Sequence, residues 1–437
     1  MEERESFSSK LGFILSCLGS AIGLGNIWMF PWKLGQFGGA AFLIPYFICL
    51  FVLCTTGLVG EFAFGRSRQS GSMQGIREVF KEKGKRFGGI LSLIPTLSVF
   101  GTFVFYGVVV GWVLKYFYAS IKGDFYNVDI ANYFNSFAGT SATLKWHFLA
   151  MVITIVIVLL GVIKGIERMN KIMMPALFVI FTVLLIRTLT LPNAMEGVKY
   201  LLIPRWEYLF KPITWVMALG QAFFSASLNG AGMVVYGSYL KKDVDIPNAA
   251  LQVAIFDAVS AILAAFIIIP GAFAFGLDPT SGPSLLFITM PHIFKAMPFG
   301  YLFGILFFLS IIFAAISSII NMLEASADAY MSFFKTTRFK ASFIVTAVAF
   351  IIAIPLDLSM ARFGTWADFI TIYLAPLGSI ITSICFFWVY GMDKAMEEIN
   401  LGAEKPLGKW FIPLAKYVFV ISGIVVLICG VIYNGIG

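Results

Sequence analysis

The sequence predicts an all-α polytopic membrane protein with about eleven transmembrane helices. Composition is the first reason, because 59% of the 437 residues are hydrophobic and only 12% are charged. A soluble domain carries about a quarter charged residues. The second reason is that the apolar residues fall into runs of about 20, the length that crosses a bilayer. The third is that two of these runs are interrupted by glycine and polar residues, which predicts broken helices at the membrane midplane.

The predicted spans are about 11–33, 40–64, 90–119, 146–163, 172–191, 213–240, 249–276, 299–331, 341–355, 367–391 and 410–435. Basic residues concentrate in the loops after even-numbered spans, such as Lys164, Arg168 and Lys171 after the fourth. Because cytoplasmic loops carry more Lys and Arg, we predict a cytoplasmic N-terminus and an outer C-terminus. The net charge of +8 thus predicts topology and not nucleic-acid binding.

The first span is interrupted at its centre by the stretch from Gly19 to Asn26 (GSAIGLGN). Glycine and asparagine are poor helix formers, and backbone groups freed within a membrane are tolerated only where they line a cavity or bind a ligand. The alternative is a packing motif, since Gly19 and Gly23 have GxxxG spacing.

The sixth span has a similar interruption from Ser225 to Gly232 (SASLNGAG). Two interrupted spans, five spans apart, predict an inverted 5+5 repeat. We expect one transmembrane domain over 1–437, with repeats at about 11–191 and 213–391 and an extra helix at about 410–435. The binding site is predicted where the two interruptions face each other.

Four acidic residues lie inside predicted spans, where such side chains are costly and usually functional: Glu61, Asp257, Glu324 and Asp328. Asp257 has no basic neighbour in the chain, so a bound cation or a proton would neutralise it; a hydrogen-bonded buried acid is the alternative. For Glu61, the alternative is a position near the cytoplasmic end of its span. For Asp328, the alternative is a position in a solvated vestibule.

Adjacent hydroxyls at Ser317 and Ser318 follow Ala314 in the eighth span and offer oxygen ligands to a hard cation. Hydroxyls bonded to their own helix are the alternative. No enzyme constellation is found: His147 and His292 lie near loops with no cysteine or carboxylate pair, and the five cysteines are expected to be buried hydrophobes.

The stretch Gly19–Pro31 (GSAIGLGNIWMFP) strongly resembles the neurotransmitter:sodium symporter family, in particular its bacterial eleven-span amino-acid transporters. Further matching blocks are 38–42, 220–225, 239–243, 314–318 and 391–394. The resemblance implies a multi-pass protein of the bacterial inner (cytoplasmic) membrane that imports an amino acid with Na+ by alternating access. It implies an amino acid and the lipid bilayer as partners, no nucleic acid and no obligatory protein partner.

The resemblance also implies a set of site residues. The substrate carboxylate would meet the N–H groups of Leu24 and Gly25 and the Tyr106 hydroxyl, and the ammonium the carbonyls of Ala21, Phe224 and Ser225 with the Ser227 hydroxyl. The first sodium would use Ala21, Asn26, Ser225 and the substrate carboxylate. The second would use the carbonyls of Gly19, Ile22 and Ala314 with the hydroxyls of Ser317 and Ser318. Ser318 is also assigned to the substrate site.

Several residues depart from the family pattern. Met29 stands where the family often has a gate arginine, so Asp368 lacks its partner and outer closure is expected to depend on Phe224 and Tyr106. Some family members have an asparagine that binds the first sodium at the position where this chain has Phe256. Asp257 is therefore expected to ligate that ion instead, and its charge predicts chloride independence.

The inner gate is expected to use Arg4, Phe7, Ser238 and Tyr239, with Asp328 one turn before the expected acid position. The side-chain pocket is expected to be surrounded by Thr102, Asn229, Asn321 and Met322. Many family members have a bulky residue where this chain has Gly230. The glycine therefore predicts room for a substrate with a large aromatic or polar side chain, such as tyrosine or tryptophan. The rival functions are a proton-coupled transporter using Asp257 or Glu61, a substrate-gated channel or sensor on the same scaffold, and an intramembrane enzyme.

Overall fold

The computed structural model describes residues 5–279, 285–433 and 435. The helices are α1 Lys10–Ala21, α2 Gly25–Gln36, α3 Ala40–Arg68, α4 Ser72–Glu82, α5 Gly88–Lys122, α6 Ile130–Asn135, α7 Ser141–Leu159, α8 Val162–Leu189, α9 Ala194–Leu202, α10 Pro212–Ser225, α11 Gly232–Gly237, α12 Ile246–Ala274, α13 Leu285–Ala296, α14 Gly300–Phe334, α15 Arg338–Asp357, α16 Met360–Asn400 and α17 Phe411–Ile432. No strand occurs in the ranges that the structure covers.

The apolar runs form the helices expected of them. Nine described helices are continuous, long and apolar enough to cross a membrane, and α1 and α2 form a further span that is bent by 56° at its break. The sixth predicted span is divided into α10 and α11 by an irregular segment at 226–231. The all-helical polytopic class is confirmed, while the count of eleven spans and the inverted repeat stay predictions.

The prediction of a loop after the fourth span, at about 164–171, is wrong. Gly161 has φ +83°, which turns the chain, and α8 begins at the next residue. Lys164, Arg168 and Lys171 therefore lie on the first turns of α8 and not in a loop. Long basic side chains are tolerated at a helix end because they extend to the polar boundary. A prediction based on charge therefore places the start of this helix at 172, ten residues after its actual start at Val162.

The centre of the bundle is formed by α14, which packs against α5, α8 and α15. The most apolar 18-residue stretch of α5 is 83% buried inside the protein. The corresponding stretches of α7, α8, α15 and α17 are each only 39% buried. The latter four helices thus form the lipid-facing periphery. The first broken span packs with its α1 half against α8, α12 and α14, so it lies inside the bundle.

Arg66 joins three segments at the C-terminal end of α3. Its side chain is 1% exposed, and its Nε lies 2.6 Å from a carboxylate oxygen of Glu398. Nη1 donates to the Val244 carbonyl at 2.7 Å and Nη2 to the Leu401 carbonyl at 3.0 Å. These bonds connect α3 to the end of α16 and to the loop before α12.

The Arg66→Ala variant is expected to be strongly destabilised, because removing one partner of a buried ion pair costs roughly 3–5 kcal/mol. The measurement is the thermal unfolding midpoint in detergent. Arg68→Ala is the control: Arg68 pairs with Glu82, whose side chain is 53% exposed, and such pairs contribute about 0–1 kcal/mol. Equal midpoints for the two variants would contradict the expectation.

Candidate functional site

The two helix breaks lie against each other. Ser227, in the break between α10 and α11, has φ +54°, and its hydroxyl donates to the carbonyl of Ser20 at 2.8 Å. Phe224 covers Gly25 so closely that a Cβ on the glycine would lie 2.6 Å from two ring carbons. Glycine is therefore required where the second half of the first span begins.

A cavity of about 70 Å³ lies between the breaks. It is lined by Ser20, Ala21, Gly23, Leu24, Gly25, Asn26, Thr102, Tyr106, Phe223, Phe224, Ser225, Ser227, Leu228, Asn229, Ser318, Met322, Thr371 and Ala375. Most of the substrate residues predicted from the sequence are in this set. Thr371 and Ala375, on α16, were missed because nothing in that apolar run distinguishes them.

One wall of the cavity combines a helix start with two hydroxyls. The Leu24 N–H donates to the Tyr106 oxygen at 3.4 Å, where α2 begins. A Cβ on Gly23 would lie 3.0 Å from Ser318 Oγ and 3.1 Å from Tyr106 Oη, so only glycine leaves both hydroxyls open. Helix starts carry partial positive charge, and such a wall is suited to a carboxylate.

A second polar group adjoins the cavity around Asp257. The Asn26 amide donates to a carboxylate oxygen of Asp257 at 2.6 Å, and the Ser225 hydroxyl donates to the other oxygen. Asp257 is thus the hydrogen-bonded acid that the sequence left as an alternative. Asn26 Oδ1, however, is buried with no hydrogen-bond partner among the described residues. A free amide oxygen beside a carboxylate and a hydroxyl fits a hard cation, which prefers oxygen ligands.

The oxygens predicted for a second cation meet where α1 ends against α14. Ser318 Oγ lies 3.1 Å from the Gly19 carbonyl and 3.0 Å from that of Ala314, which Ser317 Oγ also approaches to 3.0 Å. Ile22 caps the end of α1 beside them. The alternative was that the two hydroxyls bond only to their own helix, and both do bond to the Ala314 carbonyl. The Ser318 hydroxyl, however, also bonds to the Gly19 carbonyl of another helix.

Asn170, on α8, was missed by the sequence analysis because it precedes the predicted start of its span at 172. It is fully buried, and its Oδ1 has no hydrogen-bond partner within the described part of the chain. A Cβ on Gly19 would lie 2.0 Å from this oxygen. Asn170 therefore restricts the end of α1 to glycine at position 19.

The argument from Gly230 for a roomy side-chain pocket is wrong. Gly230 has φ +77°, and a Cβ there would lie 2.2 Å from the Gly378 carbonyl oxygen and not in the cavity. Asn321 donates to the Gly232 carbonyl at 3.1 Å and also lies behind the cavity wall. Asn229 lines the cavity, but its Oδ1 accepts from the Gly232 N–H at 3.0 Å, at the start of α11.

Glu61 holds the same break from the α3 side. It is 1% exposed, and its Oε1 accepts from the Gly230 N–H at 3.0 Å, so it does not lie at a solvated helix end. Ser72 and Thr382 donate to the Gly230 carbonyl from α4 and α16. Three helices thus hold the backbone N–H and carbonyl of one residue of the irregular segment.

Phe7 and Tyr239, two residues expected at the inner gate, are in contact. The Phe7 N–H donates to the Tyr239 carbonyl at 3.1 Å, and the two rings are 6.1 Å apart. The Tyr239 hydroxyl donates to Glu324, which Arg338 also contacts at 3.0 Å. Glu324 is therefore the acid on Tyr239, which the sequence analysis did not assign.

For the remaining predicted gate residues, the structure gives the position and contacts but does not test their role in a gate. Asp328 is 5% exposed and accepts from the Gly71 N–H at 3.1 Å, so it does not lie in a solvated vestibule. Ser238 donates to the Val235 carbonyl. Met29 is buried and Asp368 is exposed, while Arg4 lies outside the described residues. The gate roles of these residues stay predictions.

The sequence analysis was also wrong about His147, which it left without a carboxylate partner. His147 Nδ1 lies 2.7 Å from Asp357 Oδ2, and both side chains are 0% exposed. The two residues are 210 apart in the chain, so spacing gave no signal. Of the cysteines, Cys429 is only partly buried.

The geometry agrees with comparisons to known proteins. The chain matches the Sodium:neurotransmitter symporter family over residues 4–142 and 122–434. YhdH of Bacillus subtilis, named as an uncharacterized sodium-dependent transporter, is 35% identical over 414 residues, which cover 91% of each chain. The sodium- and chloride-dependent GABA transporter 2 of Rattus norvegicus is 27% identical over 480 residues, covering 95% of this chain and 77% of the relative.

A solved structure is also similar to this chain. MhsT in complex with L-phenylalanine has a TM-score of 0.88 and 34% identity, covering 98% of this chain and 99% of that one. The similarity thus extends over nearly the full length of both chains. The resemblance carried by Gly19–Pro31 is thus confirmed, and the chain belongs to the sodium:neurotransmitter symporter family of sodium-dependent secondary transporters.

Proposed function

We propose that this protein imports a neutral amino acid together with Na+ by alternating access. The observation that carries the proposal is the pair of facing breaks, where the Leu24 N–H meets Tyr106 and the free oxygen of Asn26 lies beside Asp257. An anion-binding helix start and a cation-binding oxygen group share one cavity, and a zwitterion with a sodium ion satisfies both.

The amino acid is proposed to lie with its carboxylate on the N–H groups of Leu24 and Gly25 and on the Tyr106 hydroxyl. Its ammonium would meet the carbonyls of Ala21, Phe224 and Ser225 and the hydroxyl of Ser227. The apolar lining by Phe224 and Met322 favours a large aromatic side chain, such as tyrosine or tryptophan. The similarity to MhsT, which was solved with L-phenylalanine, supports this substrate class.

Two sodium ions are proposed as co-substrates. The first would be held by Asn26, Ala21, Ser225, Asp257 and the substrate carboxylate, and the second by Gly19, Ile22, Ala314, Ser317 and Ser318. One charge crossing ~100 mV releases roughly 2.3 kcal/mol, and a tenfold gradient adds about 1.4 kcal/mol. Two ions would then support a gradient of about 10⁵ for a neutral substrate.

Chloride independence is part of the proposal. The GABA transporter 2 of the rat is named as chloride-dependent. In this chain the Asp257 carboxylate is buried beside Ser260, whose hydroxyl lies 3.1 Å from the Asn26 amide nitrogen. A fixed anion at this place would replace a bound one. We also propose that the N-terminus is cytoplasmic and that the membrane is a bacterial inner membrane.

The test is uptake of radiolabelled amino acids into proteoliposomes with an inward sodium gradient and chloride replaced by gluconate. Accumulation above the external concentration, with competition strongest for aromatic amino acids, is the expected result. Uptake driven by a pH gradient without sodium would contradict it in favour of proton coupling. Equilibration without accumulation would indicate a channel, binding without flux a sensor, and chemical turnover an enzyme.

A further inference from the structure

His147 and Asp357 form a buried pair that the proposed transport steps do not use. Both side chains are 0% exposed. Beyond their mutual contact, His147 Nε2 and Asp357 Oδ1 have no hydrogen-bond partner in the residues that the structure describes. A buried ionisable pair often returns no more free energy than its desolvation costs. Stability is therefore a poor explanation for placing this pair in an apolar bundle.

The pair joins the ends of two helices. Asp357 is the last residue of α15, and His147 lies in the first turns of α7, which packs against α15. The 2.7 Å contact between His147 Nδ1 and Asp357 Oδ2 therefore connects the end of α15 to the start of α7.

The same histidine touches a third helix. A Cβ on Gly111 of α5 would lie 2.6 Å from the His147 backbone nitrogen. One turn earlier, a Cβ on Gly107 would lie 3.0 Å from His147 Nε2 and 2.6 Å from the Met151 side chain. Small residues at this spacing let two membrane helices approach closely. His147 therefore packs directly against α5, and its contact with Asp357 connects this packing to α15.

The position of α5 matters to the cavity because Tyr106 directly precedes Gly107. The contact from the Leu24 N–H to the Tyr106 oxygen is 3.4 Å, close to the limit beyond which a hydrogen bond is lost. A shift of α5 by a few tenths of an ångström would decide whether this contact persists. Thr102, one turn earlier on α5, lines the same cavity.

We propose that His147 and Asp357 are positioning residues for amino-acid binding: they hold α5 against α7 and α15 so that Tyr106 reaches the substrate carboxylate. This inference rests on the proposed function. It assigns no contact between the pair and the substrate, and it distinguishes the amino-acid site from the second sodium site, which lies between α1 and α14.

The experiment compares His147→Leu, which removes the ring N–H, with His147→Asn, whose amide keeps a donor near the Nδ1 position. For His147→Leu we expect the KM for the amino acid at saturating sodium to rise about fivefold, the effect of one lost hydrogen bond. The half-saturating sodium concentration at saturating amino acid is expected to stay within about twofold, and His147→Asn to restore the KM.

Thr154→Val is the matched control, because Thr154 is a buried residue of α7 whose hydroxyl donates only within its own helix, to the Ala150 carbonyl at 2.8 Å. It should change neither value. Asp357→Leu, which removes both acceptor oxygens and keeps a similar side-chain size, provides a second variant if His147→Leu does not fold, and it should raise the KM in the same direction.

An unchanged KM in both His147→Leu and Asp357→Leu would overturn the inference, as would an equal rise for His147→Leu and His147→Asn. A parallel rise in half-saturating sodium would also overturn it, since that indicates general distortion. Amino-acid affinity measured in detergent by scintillation proximity gives the same comparison without transport. A chain that binds but does not accumulate its ligand would thus contradict the proposed function while still testing the pair.

Discussion

Replacing Asp257 with alanine is expected to lower sodium-driven uptake at least about 100-fold in chloride-free buffer. The carboxylate is 1% exposed and accepts from the Asn26 amide at 2.6 Å and from the Ser225 hydroxyl. Without it, the Ser225 hydroxyl loses its acceptor, the Asn26 amide loses its shortest hydrogen bond, and the proposed sodium ion loses an anionic neighbour. Hydrogen bonds to charged groups contribute roughly 1.5–3 kcal/mol each, so the two together correspond to two or more factors of ten.

Chloride is expected to restore part of the uptake by Asp257→Ala. The shorter side chain leaves a space bordered by the donors of Asn26, Ser225 and Ser260, in which a halide would supply the missing charge. Initial uptake rates in gluconate and in chloride measure this, with Asp393→Asn, at an exposed position, as the control. Full activity of Asp257→Ala in gluconate would contradict the role of Asp257. Inactivity in both salts would contradict only the chloride replacement.

The helices and both breaks could be predicted because their signals are local. A run of apolar residues predicts a span wherever it occurs, and the glycines from Gly19 to Gly25 weaken a helix whatever surrounds it. Asn26 and Ser318, which the family motif assigned to binding, line the cavity between the breaks. Their roles as ligands stay predictions.

The errors concern side-chain direction and distant partners. Gly230 was expected to open the pocket, but its positive φ turns the Cβ direction toward Gly378. Such a direction depends on the backbone of an irregular segment, which no periodic pattern predicts. Asp357 and Glu398 become partners of His147 and Arg66 only after the bundle has assembled. One sequence without aligned relatives contains no signal for such contacts.

Gly19→Ala is expected to raise the half-saturating sodium concentration at least about tenfold, because overpacking a close contact costs roughly 1–3 kcal/mol. The added Cβ would lie 2.0 Å from Asn170 Oδ1 and 2.8 Å from Ser317 Cβ. The end of α1 must therefore move away from α14. That movement lengthens the 3.1 Å separation between the Gly19 carbonyl and Ser318 Oγ, two of the proposed ligands.

The control for Gly19→Ala is Gly304→Ala, at a buried glycine of α14 where a Cβ would make only ordinary contacts at 3.5 Å. It should leave sodium dependence unchanged. The double variant Gly19→Ala/Asn170→Ala removes the closer of the two clashes, so it should recover part of the sodium affinity. Recovery would show that α8 determines how closely α1 approaches the second sodium site. An unchanged sodium dependence in Gly19→Ala itself would contradict a cation site at the end of α1, because the clash leaves that helix end no room to keep its position.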